Sequence, residues 1–235
     1  MKVEIWSDIM CPFCYIGKRK FEQALAQFPH KDQIEVEWHS FQLNPDLTSQ
    51  PDKDAYDYVA ELKGQTRDWS VKVHEQLVAS AKAVGLDYHF EKAKIVNSFE
   101  AHRLIQLAKT HGLGDAIEER LFKAYFTEGA NVADHDTLVA LGAEIGLKEA
   151  EVRATLESNA FADKVQEDVQ RAGALGIKGV PFFVLNNRYG VSGAQESSVF
   201  LQSLEKAHSE WAKDQPVPVI EVTEGPTCTP GGDCN

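Results

Sequence analysis

Lys2-Val3-Glu4-Ile5-Trp6-Ser7-Asp8, followed at once by Cys11-Pro12-Phe13-Cys14, is the stretch that decides the fold. Val3 and Ile5 alternate with charged residues, the pattern of a short strand. Beyond the cysteines, Phe13, Ile16, Gly17, Phe21, Ala24, Leu25 and Phe28 recur at helical spacing. Two thiols therefore sit on a strand-to-helix turn. Unpaired amides and the positive end of the helix dipole lie there, and both favour a thiolate at Cys11. Pro12 suits the first helical position, having no amide hydrogen and a helical φ. Cys14 returns to the same face three residues on, within disulfide reach, and can displace whatever Cys11 has captured.

Working outward, Ile34-Glu35-Val36-Glu37-Trp38-His39-Ser40-Phe41 alternates as a second strand, which makes a right-handed βαβ unit with parallel strands. From about Asp52 to Leu156 no strand pattern occurs. Helical stripes are expected over Trp69–Val84, from Asn97-Ser98 to Gly112, around Ile117–Tyr125, and from Asp134 to Gly146. A further helix is expected from near Ser158 with Phe161, Val165, Val169 and Ala172 buried. Then come Gly179-Val180-Pro181-Phe182-Phe183-Val184-Leu185, an Asn186-Asn187 turn, a return strand Tyr189–Gly193 and a closing helix Glu196–Trp211. The tail, rich in Pro and Gly, carries Cys228 and Cys234.

The expected architecture is α/β, and its order of elements resembles a thioredoxin fold, β-α-β then α-β-β-α around a mixed four-stranded sheet, interrupted by an all-helical insertion. Its parts are residues 1–48 and 157–213 for the thioredoxin domain, 49–156 for the insertion, and 214–235 for the tail. The chain has 235 residues and a net charge of −12, from 24 Lys and Arg against 36 Asp and Glu. An acidic chain without a basic cluster argues against nucleic acid or anionic membranes as partners. No apolar run reaches transmembrane length, and the N-terminus lacks a secretory pattern. A cytoplasmic location is expected, where a C-x-x-C points to redox chemistry rather than a structural disulfide. Zinc needs four ligands, and Cys228, Cys234, His30 and His39 do not supply the missing two at suitable spacing. No metal or organic cofactor is expected.

These elements, with Ser7-Asp8-x-x-Cys11-Pro12-Phe13-Cys14-Tyr15-Ile16-Gly17-Lys18 and Gly179-Val180-Pro181-Phe182-Phe183, resemble the DsbA family, most closely its cytosolic FrnE-like branch. Asn97-Ser98-Phe99-x-Ala101-His102-Arg103 and Val191-Ser192-Gly193-Ala194-Gln195 add to the resemblance. It implies a dithiol–disulfide oxidoreductase or isomerase acting on protein thiols and disulfides, with glutathione or a thioredoxin-type protein as a candidate reductant. Cys11 would be the exposed nucleophile and Cys14 the resolving thiol. Pro181 would be cis, with Val180 offering backbone groups to a substrate peptide beside Pro12 and Phe13. Phe13 departs from the Pro-His of periplasmic relatives and cannot support the thiolate by charge. A weaker oxidant than the strongest DsbA type is expected, between about −270 and −120 mV.

Asp8 reads as a strand-end turn residue or as a buried carboxylate taking the proton of Cys14. His102 reads as a satisfied interface histidine or a proton shuttle. Lys18 and Arg19 lie about two helical turns from Cys11, roughly 10 Å, and are expected to influence it little. Trp6, Trp38 and Trp69 are expected as core or interface anchors. Cys228 and Cys234 have two readings, a relay exchanging electrons with Cys11 and Cys14 or a passive pair. Two rivals stand beside the oxidoreductase. One is a glutathione-dependent transferase or isomerase of the kappa-class or chromene-carboxylate type, against which retention of both Cys11 and Cys14 argues. The other is a redox-sensing binding protein.

Overall fold

The computed structural model describes residues 1–214, so the expectations for Cys228 and Cys234 lie outside the described residues. Strand β1 (Lys2–Ser7) leads through the cysteine turn into α1 (Pro12–Gln27), and β2 (Glu35–Ser40) returns parallel to β1. Six insertion helices follow: α2 (Ala55–Lys63), α3 (Arg67–Ala83), α4 (Phe99–Thr110), α5 (Gly114–Lys123), α6 (His135–Glu144) and α7 (Glu149–Leu156). Helix α8 (Ala162–Ala174), β3 (Phe182–Leu185), β4 (Tyr189–Ser192) and α9 (Ser197–Lys213) complete the described chain. The sheet order is β2-β1-β3-β4, with β3 antiparallel to both neighbours. This is the mixed four-stranded sheet of a thioredoxin fold.

Both sheet faces are covered. Val3, Ile5, Phe183 and Leu185 pack against Phe21 and Ala24 of α1 and Phe200 and Leu204 of α9. Trp6 packs with Ala172 and Ile177 on the α8 side. Alternation along β1 therefore does not mean a wet face. Glu4 is buried, with its carboxylate 2.7 Å from the Arg171 guanidinium and 3.2 Å from His39 Nε2.

Helix α1 serves two cores. Its second half faces the sheet, while Cys14, Tyr15 and Ile16 join the insertion core with Leu104, Leu121, Phe122 and Phe126. A polar clasp ties α1 to α5: Tyr15 donates to Glu119 at 2.6 Å, Arg19 pairs with Glu119, and the Lys18 amine lies 3.2 Å from Asp115. Lys18 is only 2% exposed. Its helical position gave no sign of that, because the face it occupies is covered by the insertion. Trp6 and Trp38 are buried as expected, whereas Trp69 is half-buried.

Side-chain caps fix several helix starts, Thr66 accepting from the Trp69 amide and Asp134 from the Thr137 amide. Helices α2 and α7 are absent from the sequence reading because nine and eight residues repeat an apolar stripe too few times to reveal it. The helix expected from Ser158 begins at Ala162, after Phe161 takes a left-handed conformation at φ 63°.

Candidate active site

The Ser7–Asp8 end of β1 feeds the thiol turn. The Cys11 amide donates to the Asp8 carbonyl at 2.9 Å, and Cys11 takes the extended N-cap conformation, φ −88° and ψ 111°. Pro12 is the first helical residue, and the Cys14 amide donates to the Cys11 carbonyl at 3.0 Å. Both cysteines are free thiols. Burial, and then the neighbouring Cys11, push the Cys14 thiol well above its ordinary range, against the Asp8 amide and the Ser7 hydroxyl, which favour its anion.

Cys11 is not exposed, contrary to expectation: it keeps 4% of its surface and belongs to the insertion core. The cause is tertiary. The thiol donates to the Val180 carbonyl at 3.5 Å across the top of the turn, and Val180 and Met10 pack against the same core. The Val180–Pro181 bond is cis. Gly17 allows α1 this close, since a Cβ there would stand 3.0 Å from Pro181 Cγ. Phe13, between the two cysteines, is 48% exposed.

Asp8 combines the strand-end position of one reading with the burial of the other. It ends the strand and it is buried, at 1% exposure. Its carboxylate accepts from the Leu43 amide at 2.8 Å and the Met10 amide at 3.2 Å. Burial alone would raise this carboxyl, but His102 and the Leu43 amide together hold it below the usual carboxylate range. His102 is not the satisfied histidine expected. Its Nε2 stands 3.5 Å from Asp8 Oδ1, at the outer limit of a hydrogen bond, and neither ring nitrogen has a hydrogen-bond partner.

Two nearby residues were missed. Glu118 on α5 is as buried as Asp8, and burial pushes its carboxyl up to about 8. Tyr88, in the loop between α3 and α4, donates its hydroxyl to the Pro12 carbonyl at 2.7 Å. Burial and then the charge of Cys11 raise its phenol pKa, so it stays protonated. Neither residue sits in a motif, and only the packing of the insertion brings them here.

Among the described residues, Glu4, Glu37 and His39 bring ligand-type atoms close together. Arg171 and Lys109 stand 2.7 and 3.1 Å from those carboxylates, and Lys2 pairs with Glu37. Their charge is thus answered by protein cations. No described helix is long and apolar enough to cross a membrane.

The family described as DSBA-like thioredoxin domain matches residues 2–205. The chain is similar to the uncharacterized protein YwbO of Bacillus subtilis, 30% identical over 90% of this chain and 97% of the relative. It is similar to a crystal structure of a probable DsbA oxidoreductase from Streptomyces coelicolor, at 40% identity and a TM-score of 0.85, covering 100% of this chain and 98% of the other. The cytosolic disulfide reductase DsbM from Pseudomonas aeruginosa, solved with GSH, shares the fold at 18% identity and a TM-score of 0.60, over 91% and 98% of the two chains.

Proposed function

The chain belongs to the DSBA-like thioredoxin domain family, and from that premise we propose that it is a cytoplasmic protein dithiol–disulfide oxidoreductase or isomerase of the FrnE-like kind. The observation that carries this reading is the turn itself: Cys11 at the N-cap, Cys14 one turn later, and the Val180 carbonyl on the Cys11 thiol. The Cys11 thiolate attacks a substrate disulfide, forming a mixed disulfide and releasing one substrate thiolate, which takes up a proton. Cys14 then loses its proton and displaces the second substrate sulfur, leaving a Cys11–Cys14 disulfide. Asp8 and His102 are the proposed destination of that proton, as an ionised carboxylate beside an unsatisfied imidazole. Val180 backbone groups, with Pro12 and Phe13, hold the substrate segment in strand-like fashion.

The near-burial of Cys11 narrows the approach without closing the chemistry, since attack needs a single line of access to sulfur. Phe13 offers an apolar surface beside it. Cys228 and Cys234 act as an auxiliary relay in this reading. About 14 residues separate the end of α9 from Cys228, a reach of up to about 45–50 Å. Helix α9 is about 25 Å long, and its approach segment meets the Pro181 loop through the Gly193 amide.

Insulin reduction and scrambled-ribonuclease refolding test the reading. Turnover is expected for the native chain and none for Cys11→Ser, while Cys14→Ser should trap mixed disulfides. A native chain inert in both assays overturns the enzyme in favour of a redox-sensing binding protein. Glutathione-dependent activity of Cys14→Ser on small electrophiles would favour the transferase or isomerase reading instead. Double replacement of Cys228 and Cys234 by Ser should slow turnover, and an unchanged rate removes the relay.

A further inference from the structure

We infer that Tyr88, a residue of the helical insertion, is a positioning residue for the Cys11 thiolate, acting through the peptide unit that joins Pro12 to Phe13. This inference rests on one part of the reading above, the redox dithiol of Cys11 and Cys14, and assigns the insertion a direct part in it.

Cys11 is the N-cap of α1, so Phe13 occupies the second helical position. The amide there has no partner within the helix, and it is one of the two amides that an N-cap side chain accepts from. In the thiol form Cys11 makes no such cap and donates instead to the Val180 carbonyl. A thiolate has no proton to donate. Facing that carbonyl it meets only repulsion, and the groups complementary to it are the neighbouring Cys14 thiol and, in the cap geometry, the amide at the N2 position.

That amide and the Pro12 carbonyl are two ends of one planar unit. The carbonyl end receives the Tyr88 hydroxyl at 2.7 Å. Donation there polarises the unit, makes its N–H a stronger donor, and fixes the plane so that the N–H stays turned toward the cap. Tyr88 is itself held firmly. It is buried, its ring stacks on Phe126 at 4.5 Å, and it lies 6.2 Å from Tyr15. The flanking loop is pinned by the His89 amide on the Phe126 carbonyl at 2.7 Å and by Thr127 on the Asp87 carbonyl at 2.6 Å. The titratable and charged groups around the turn are Cys14, Tyr15 and Arg19 on α1, Asp8 at the end of β1, and Tyr88 from the insertion. Among these Tyr88 alone supplies a neutral hydroxyl to the backbone of the turn itself.

The effect falls on the reduced, ionised state, because the disulfide carries no charge for the amide to stabilise. Loss of the hydroxyl should therefore shift the equilibrium of the dithiol and oxidised glutathione, with disulfide and two reduced glutathiones as products, toward disulfide. For Tyr88→Phe a three- to tenfold shift is expected, about 15–30 mV toward a more reducing potential, with iodoacetamide alkylation of Cys11 slowed to a similar degree. Site-specific 3-fluorotyrosine, a stronger donor, should move the equilibrium constant the opposite way, and it decides the matter should Tyr88→Phe fold poorly. Leu138→Ala, in the same core but on α6, should lower stability and leave the equilibrium constant unchanged.

An equilibrium constant within 1.5-fold of the native value for both Tyr88 variants overturns the inference. So does a shift in Leu138→Ala as large as in Tyr88→Phe, which would make general loosening the cause. These readouts need no protein substrate. A native chain inert toward insulin, with the Tyr88 shift present, would sink the enzymatic reading and leave this one standing.

Discussion

Asp8, at the end of a sheet strand, and Glu118, on an insertion helix, are both 1% exposed, yet they differ in protonation at neutral pH. Asp8 has two backbone amides and His102 directed at its oxygens, enough to outweigh burial. Glu118 has one oxygen without any hydrogen-bond partner, and its field includes Asp8 and Asp115 as well as Lys18. Burial sets only the cost of a charge, and the donors arranged around it decide whether that cost is met. The two carboxyls divide the labour of the interior, one ionised near the thiols and one neutral on the facing helix.

The largest expected effect tests the Glu118 side of this contrast. Between its ordinary value of 4.5 and its folded value of about 8, the unfolded chain releases this proton and the folded chain keeps it. Stability therefore falls as pH rises through that window and levels off above it. At 1.36 kcal/mol per unit the loss is about 4–5 kcal/mol. Glu118→Gln carries no proton to lose, so urea denaturation should show the variant gaining about that much on the native chain between pH 4.5 and pH 8.5. A constant gap would mean that Glu118 is ionised and partnered like Asp8.

Asp8→Ala should cost about 3 kcal/mol at pH 7, because it strands two buried amides and His102. Folding lowers the Asp8 pKa below its ordinary 3.8. Its contribution is thus present above that pH and is lost as pH falls through the folded value, so the variant should show a flatter acid limb in denaturation. His102→Phe is a finer cut. Asp8 keeps its amides but loses the imidazole 3.5 Å from its Oδ1, so its carboxyl should titrate higher by carbon NMR, with about 1–2 kcal/mol lost. Smallest is Glu119→Gln in the α1–α5 clasp. Burial opposes that carboxylate's charge, while Arg19 and Tyr15 hold it low. It is one-third exposed, so solvent screening should keep the loss under about 1 kcal/mol by thermal melting.

The contrast also marks where reading the chain stops. Asp8 stands in a motif, three residues before Cys11, and could be singled out. Glu118 lies in Ala116-Ile117-Glu118-Glu119-Arg120, where nothing separates it from its half-buried neighbour Glu119. Position 118 turns inward because α5, already paired with α4, also lies against β2, a segment far from it in the chain. Lys18 and Tyr88 were opaque for the same reason.

By itself the sequence determined what depends on neighbours a few residues away: the β1 strand, the helix begun at Pro12, the spacing of Cys11 and Cys14, the capped helices α3 and α6, and the Val-Pro step before β3. Helical and strand periodicity and the chemistry of caps act over one or two turns, so a linear pattern can carry them. Tertiary structure alone decided how much of Cys11 meets solvent, which carboxyl keeps its proton, and which hydroxyl reaches the thiol turn. Each of these depends on desolvation and on donors brought from distant segments, and neither exists until the insertion closes on α1.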